Sequence, residues 1–98
     1  MKTTGSPLWL VCYDVANDKR RRELVKRLER HCQRVQFSVF ECPLSEADIA
    51  EHLEKRWLTQ LNLTEDSLRA YPLNKTAREQ AKIYGGPPPY QPPDYVVL

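Results

Sequence analysis

Leu8-Trp9-Leu10-Val11-Cys12-Tyr13 is an unbroken apolar run. Its short length and β-prone composition predict a buried central strand that ends at Asp14. Asn17-Asp18 offers a helix N-cap, and a helix is predicted from Asp18 to about Cys32. Leu24, Val25, Leu28 and Cys32 share one stripe of that helix, and arginines take its other faces. From Arg34 to Cys42, Val35, Phe37 and Val39 alternate with Gln36, Ser38 and Phe40. This predicts a strand pair with a bulge or tight corner near Gln36, ended by Pro43. Ser45 opens a second helix through a capping-box-like pair with Asp48, and Leu44 and Ile49 hold hydrophobic-staple positions. Ile49, Leu53, Trp57 and Leu61 keep helical spacing, with Glu46, Glu51 and Glu54 on the solvent side. After a turn at Thr64-Glu65-Asp66, residues Asp66 to Leu73 read as the last core strand.

Strand, helix, strand pair, helix, strand is the plan of an α+β, ferredoxin-like βαββαβ sandwich, with helices covering one face of an antiparallel sheet. The expected domain spans residues 1–78, and residues 79–98 form an extended Pro-rich C-terminal tail. The tail holds five of the eight prolines, which rules out a continuous helix. It ends in Tyr95-Val96-Val97-Leu98, a β-prone segment suited to pairing with a partner's sheet edge. An untethered end is the alternative. A chain of 98 residues makes one domain with a thin core, which a homodimer interface would thicken.

Charge changes the picture more than composition does. The formal net charge is +2, yet the segment from Asp18 to Arg34 carries +5 and the remainder −3. Arg20, Arg21 and Arg22 fill the first turn of the first predicted helix, where the helix dipole disfavours cations. An external anion would compensate them. Arginine suits bidentate contact with phosphate, so nucleic acid is the implied partner, and a solvated helix face is the plainer reading. No helix is patterned to read bases, so binding without base specificity is expected.

Asp14, beside Tyr13 at the end of a rigid strand, is a suitable hard-cation ligand. One carboxylate is too few for a metal site. A two-fold axis that brought two copies of Asp14 together would give a pair able to hold Mg²⁺ or Mn²⁺. The competing assignment is a turn or helix-capping aspartate. Cys12, Cys32 and Cys42 have no CxxC spacing and read as reduced thiols packed as small hydrophobes. His31 and His52 have no partner at metal or triad spacing. No segment reads as a targeting signal or a membrane span, so a cytoplasmic protein without a membrane partner is expected.

These features together resemble a known family. Tyr13-Asp14-Val15, then Asp18-Lys19-Arg20-Arg21-Arg22, then Arg34-Val35-Gln36-Phe37-Ser38-Val39-Phe40-Glu41 is similar to the Cas-two family of CRISPR spacer acquisition. Asp66 to Leu73 also looks like the family's later strand. The resemblance implies a ferredoxin-like homodimer that binds RNA or duplex DNA and works with the Cas-one integrase. It implies Mg²⁺ at the residue matching Asp14, one from each protomer, in a metal-dependent endonuclease. Arg21 and Arg34, with Phe40, match residues around the cleft, and Ser38 and Tyr13 belong to the same motifs. Two other functions stay open. One is a non-catalytic dimeric scaffold for duplex spacer DNA. The other is a small-ligand regulatory module, for which the sequence holds no Gly-rich loop.

Overall fold

The computed structural model describes residues 7–90. It contains β1 (Leu8–Asp14), α1 (Asp18–Leu28), β2 (Gln33–Gln36), β3 (Val39–Cys42), α2 (Glu46–His52), β4 (Ser67–Leu73) and α3 (Lys75–Gln80). The strands form one antiparallel sheet in the order β2-β3-β1-β4, so the apolar run of β1 lies inside the sheet. This is the expected α+β, βαββαβ arrangement.

Local chemistry sets the element ends. The Asn17 side chain accepts a hydrogen bond from the Arg20 amide at 2.9 Å and caps α1. The Ser45 hydroxyl does the same for the Asp48 amide at 3.1 Å and caps α2. The β2–β3 register shifts between Arg34 and Gln36, which is the irregularity expected near Gln36. α1 is shorter than expected. It stops at Leu28, and looser turns carry the chain to Cys32. The second helix also changes form, because Leu53–Trp57 is a π-helical turn that continues α2.

The core forms on one face of the sheet. Val11 and Tyr13 of β1 and Phe40 and Cys42 of β3 pack under Leu24 and Leu28 of α1, with Ile49 and Trp57. Leu68 and Ala70 of β4 pack against the same cluster. Side chains alternate along a strand, so Leu10, Cys12 and Asp14 belong to the opposite face. Across the ladders their partners are Glu41 and Val39 of β3 and Tyr71, Arg69 and Ser67 of β4.

Two expectations need correction. Cys32 and Cys42 are joined by a disulfide rather than held as thiols, and Cys12 alone is free. The β2–β3 pairing of Gln33 with Glu41 brings the flanking cysteines together, with their Cα atoms 4.3 Å apart. α3 is a short helix that the strand-then-tail reading passed over. Asn74 caps it through a 2.8 Å bond from the Ala77 amide, and it buries no residue, so it has no apolar stripe to betray it. The expected boundary at residue 78 falls within it. The start of the tail bends beside the domain. Gly85 and Gly86 both take φ of +74°, a left-handed conformation that favours glycine, and the Tyr90 amide donates to Glu41 Oε1 at 2.6 Å. The predicted strand Tyr95–Leu98 lies outside the described residues.

Candidate functional site

Asp14 occupies the last position of β1 opposite Ser67 of β4 and is exposed. It has no hydrogen-bond or ion-pair partner among the described residues. The residues around this end of the sheet are tightly fixed. The Tyr13 amide donates to the Ser38 carbonyl at 3.2 Å, and the buried Tyr13 hydroxyl donates to the Phe37 carbonyl at 3.1 Å. Arg34 sends Nε and Nη2 to the same Phe37 carbonyl at 2.9 and 2.7 Å. Its guanidinium lies 5.1 Å from the centre of the Phe37 ring and 5.8 Å from that of Phe40. The tight β2–β3 corner is therefore held from both sides, next to the strand end that carries Asp14.

The two aromatics of that corner have opposite fates. Phe40 has no exposed surface and serves the core, whereas Phe37 is 72% exposed. The surface aromatic at this end is thus Phe37, one of two residues that form the corner. Its position could have been anticipated from the bulge, since a register shift reverses which side chains face inward.

The arginines in the first turn of α1 are not equivalent. Arg20 donates from Nε to Asp66 Oδ2 at 2.7 Å and from Nη2 to Glu65 at 3.0 Å. Asp66 is buried, and it also accepts from the Asn62 amide at 2.9 Å. The Arg20 hydrogen bond, aided by that amide and opposed by burial, holds the Asp66 carboxyl below the usual range. The same bond raises the Arg20 pKa. Arg21 pairs with Asp18 and donates to the carbonyls of Val15 and Ala16 at 3.1 Å. Arg22 is exposed without such a partner among the described residues. Much of the anionic compensation that this turn requires therefore comes from within the chain. Asp66 lies 46 residues from Arg20, so no local pattern pointed to the pair.

Among the described residues, one chain by itself assembles no divalent-cation site. No group of three or more His, Cys, Asp or Glu side chains converges among the described residues, and Asp14 stands by itself. Asp14 does, however, share the helix-free face with Leu10 and Cys12.

Residues 7–81 match the family model described as CRISPR associated protein Cas2. The chain belongs to the Cas2 family. It is 63% identical over 90 residues to the CRISPR-associated endoribonuclease Cas2 2 of Synechocystis, covering 92% of this chain and 97% of that protein. It is 44% identical over 69 residues to the CRISPR-associated endonuclease Cas2 2 of Thermus thermophilus, covering 70% and 76% of the two chains. Among solved structures, Streptococcus pyogenes Cas2 superposes with a TM-score of 0.68 at 32% identity, covering 80% of this chain and 99% of that one. A chain of a partial Cas6-RT-Cas1–Cas2 complex gives a TM-score of 0.73 at 34% identity, covering 94% and 99%. Among the described residues, no helix is long and apolar enough to cross a membrane.

Proposed function

We propose that this Cas2 chain is a nucleic-acid-binding subunit of CRISPR spacer acquisition, acting as a homodimer beside a Cas1 integrase and cleaving RNA or DNA phosphodiesters. The observation that carries this reading is the placement of Asp14 on the sheet face that the helices leave open. Leu10, Cys12 and Val39 on that face are only half-buried, and Tyr71 is exposed. A second copy stacked on the same face would bury this apolar surface and bring in a second Asp14. The names of the related endoribonuclease and endonuclease, and the structural likeness to a chain of a Cas1–Cas2 complex, favour the same reading.

In that pair the two Asp14 carboxylates would hold Mg²⁺ or Mn²⁺, which supplies positive charge beside a phosphodiester. The other roles fall to the chain's own residues. Arg22 is free to meet a backbone phosphate. Arg34, Arg20 and Arg21 keep further N–H donors after their internal bonds, because a guanidinium has five. Tyr13, with Ser38 and buried Phe40, holds the corner that positions Arg34.

The test compares the wild-type protein with Asp14→Asn on RNA and duplex DNA in the presence of Mg²⁺. Cleavage by the wild type and background levels with the variant are expected. Equal cleavage by both proteins removes Asp14 from the chemistry. The isolation of Asp14 within one chain favours a second reading, a scaffold for duplex spacer DNA that does not cut. That reading predicts spacer acquisition that survives Asp14→Ala.

A further inference from the structure

A second concentration of positive charge lies at the other end of α1. Glu23, Arg27, Arg30, His31, Lys55 and Arg56 line a cleft of about 320 Å³ between α1 and the π-helical turn. Four permanent cations thus face a single carboxylate across a concave surface. Arg27 is already engaged. Its Nε donates to Glu23 at 2.9 Å and its Nη1 to the Arg56 carbonyl at 2.6 Å, which ties the two walls together. The Arg27 bond also holds the Glu23 carboxyl below its ordinary range. Lys55 leans on Glu51 at 3.5 Å. Arg30 and Arg56 are exposed and have no side-chain ion-pair partner among the described residues.

The helix dipole accounts for only part of this cluster. Lys26 and Arg27 sit in the last turn of α1, where cations are favoured. That effect gives no reason for Lys55 and Arg56 to converge on the same spot from a different element. Like charges gathered in a concavity repel one another unless an anion joins them. Behind the cleft the structure is firm. The rings of His31 and His52 lie 4.3 Å apart, and His52 stacks on fully buried Trp57 at 5.4 Å. The site is therefore presented by packed elements rather than by a loose loop.

We propose that this cleft binds a phosphate group, carried by a nucleic-acid strand end or by a free phosphate compound, through Arg30 and Arg56, with Lys55 and His31 beside them. Paired arginines suit the phosphate oxygens, and the charged lining suits an ionic ligand rather than a stacked base. The site lies on the helical layer, and Arg27 on its wall lies about 7.5 Å of helical rise beyond Arg22. It is thus separate from the open sheet face and does not depend on the Asp14 reading.

The experiment titrates the full chain with inorganic pyrophosphate by calorimetry, using the wild type, the double variant Arg30→Gln/Arg56→Gln, and a control, Lys75→Gln, at an exposed position on α3. Both substituted arginines are exposed, and a melting curve checks that the double variant folds. Saturable binding that weakens at least about tenfold in the double variant, and stays unchanged in Lys75→Gln, is expected for loss of two charge-assisted contacts. The variant Arg30→Lys/Arg56→Lys, which keeps the charge, recovers part of the binding. Equal affinity in the wild type and the double variant, or an equal loss in Lys75→Gln, overturns the proposal. Oligonucleotides with a 5′-phosphate or a 5′-hydroxyl separate the two sources. Tighter wild-type binding of the phosphorylated strand, absent in the double variant, points to strand ends. Indifference to the 5′-phosphate alongside pyrophosphate binding points to free phosphate compounds.

Discussion

The two faces of the sheet are made from the same strands and do opposite work. Beneath the helices, Val11 and Phe40 are fully buried and Tyr13 nearly so. On the other face, Leu8 is buried but Leu10, Cys12 and Val39 are only half-buried, and Asp14 projects from the same side at the strand end. One face closes the fold, and the other leaves apolar side chains partly exposed. The contrast teaches that successive residues of one strand answer to different demands. Substitutions at Val11 and Tyr13 should therefore act on stability, and those at Leu10, Cys12 and Asp14 on the proposed association and chemistry.

The largest expected effect lies on the covered face. Phe40→Ala should cost about 3–5 kcal/mol in urea denaturation, because it opens a cavity in a thin core. A loss below 1 kcal/mol would mean that Phe40 is not the core residue described. Next is Asp14→Asn, which should abolish cleavage while leaving the melting temperature unchanged. A large fall in melting temperature would make Asp14 a structural residue instead. Asp66→Asn should lower the melting temperature at neutral pH by several degrees, since it removes the anion that Arg20 requires. The folded pKa of Asp66 is depressed, so its stabilisation is complete above its ordinary value near about 4 and is lost as the pH falls through the folded value. The gap between wild type and variant should therefore close in acid, and a gap constant with pH would contradict the pairing. The smallest effect is that of Arg22→Gln. It should flatten the log–log salt dependence of duplex binding by about one unit if Arg22 meets one phosphate. An unchanged slope moves the contact elsewhere.

Much of this was legible in the amino-acid pattern. The apolar run of β1, the Asn17 and Ser45 caps and the bulge near Gln36 all rest on local rules, and each occurs where those rules place it. Asp14 was legible as a strand-end carboxylate. What escaped was non-local or weakly patterned. The Arg20–Asp66 pair bridges 46 residues, so the charge count of the first helix overstated the charge left free for a ligand. The Cys32–Cys42 contact depends on strand register. α3 has no buried side. The clustering of Arg30 with Arg56 requires the π-helical turn, which no spacing in the sequence announces.

The central claim is that two copies meet through the open sheet face. Sedimentation equilibrium of the wild type beside Leu10→Arg tests it most directly. Leu10 lies on that face, outside the helix-covered cluster. The account predicts a wild type of twice the chain mass and a folded, monomeric variant. A monomeric wild type at concentrations where it binds nucleic acid, or a dimer that Leu10→Arg leaves intact, would contradict it.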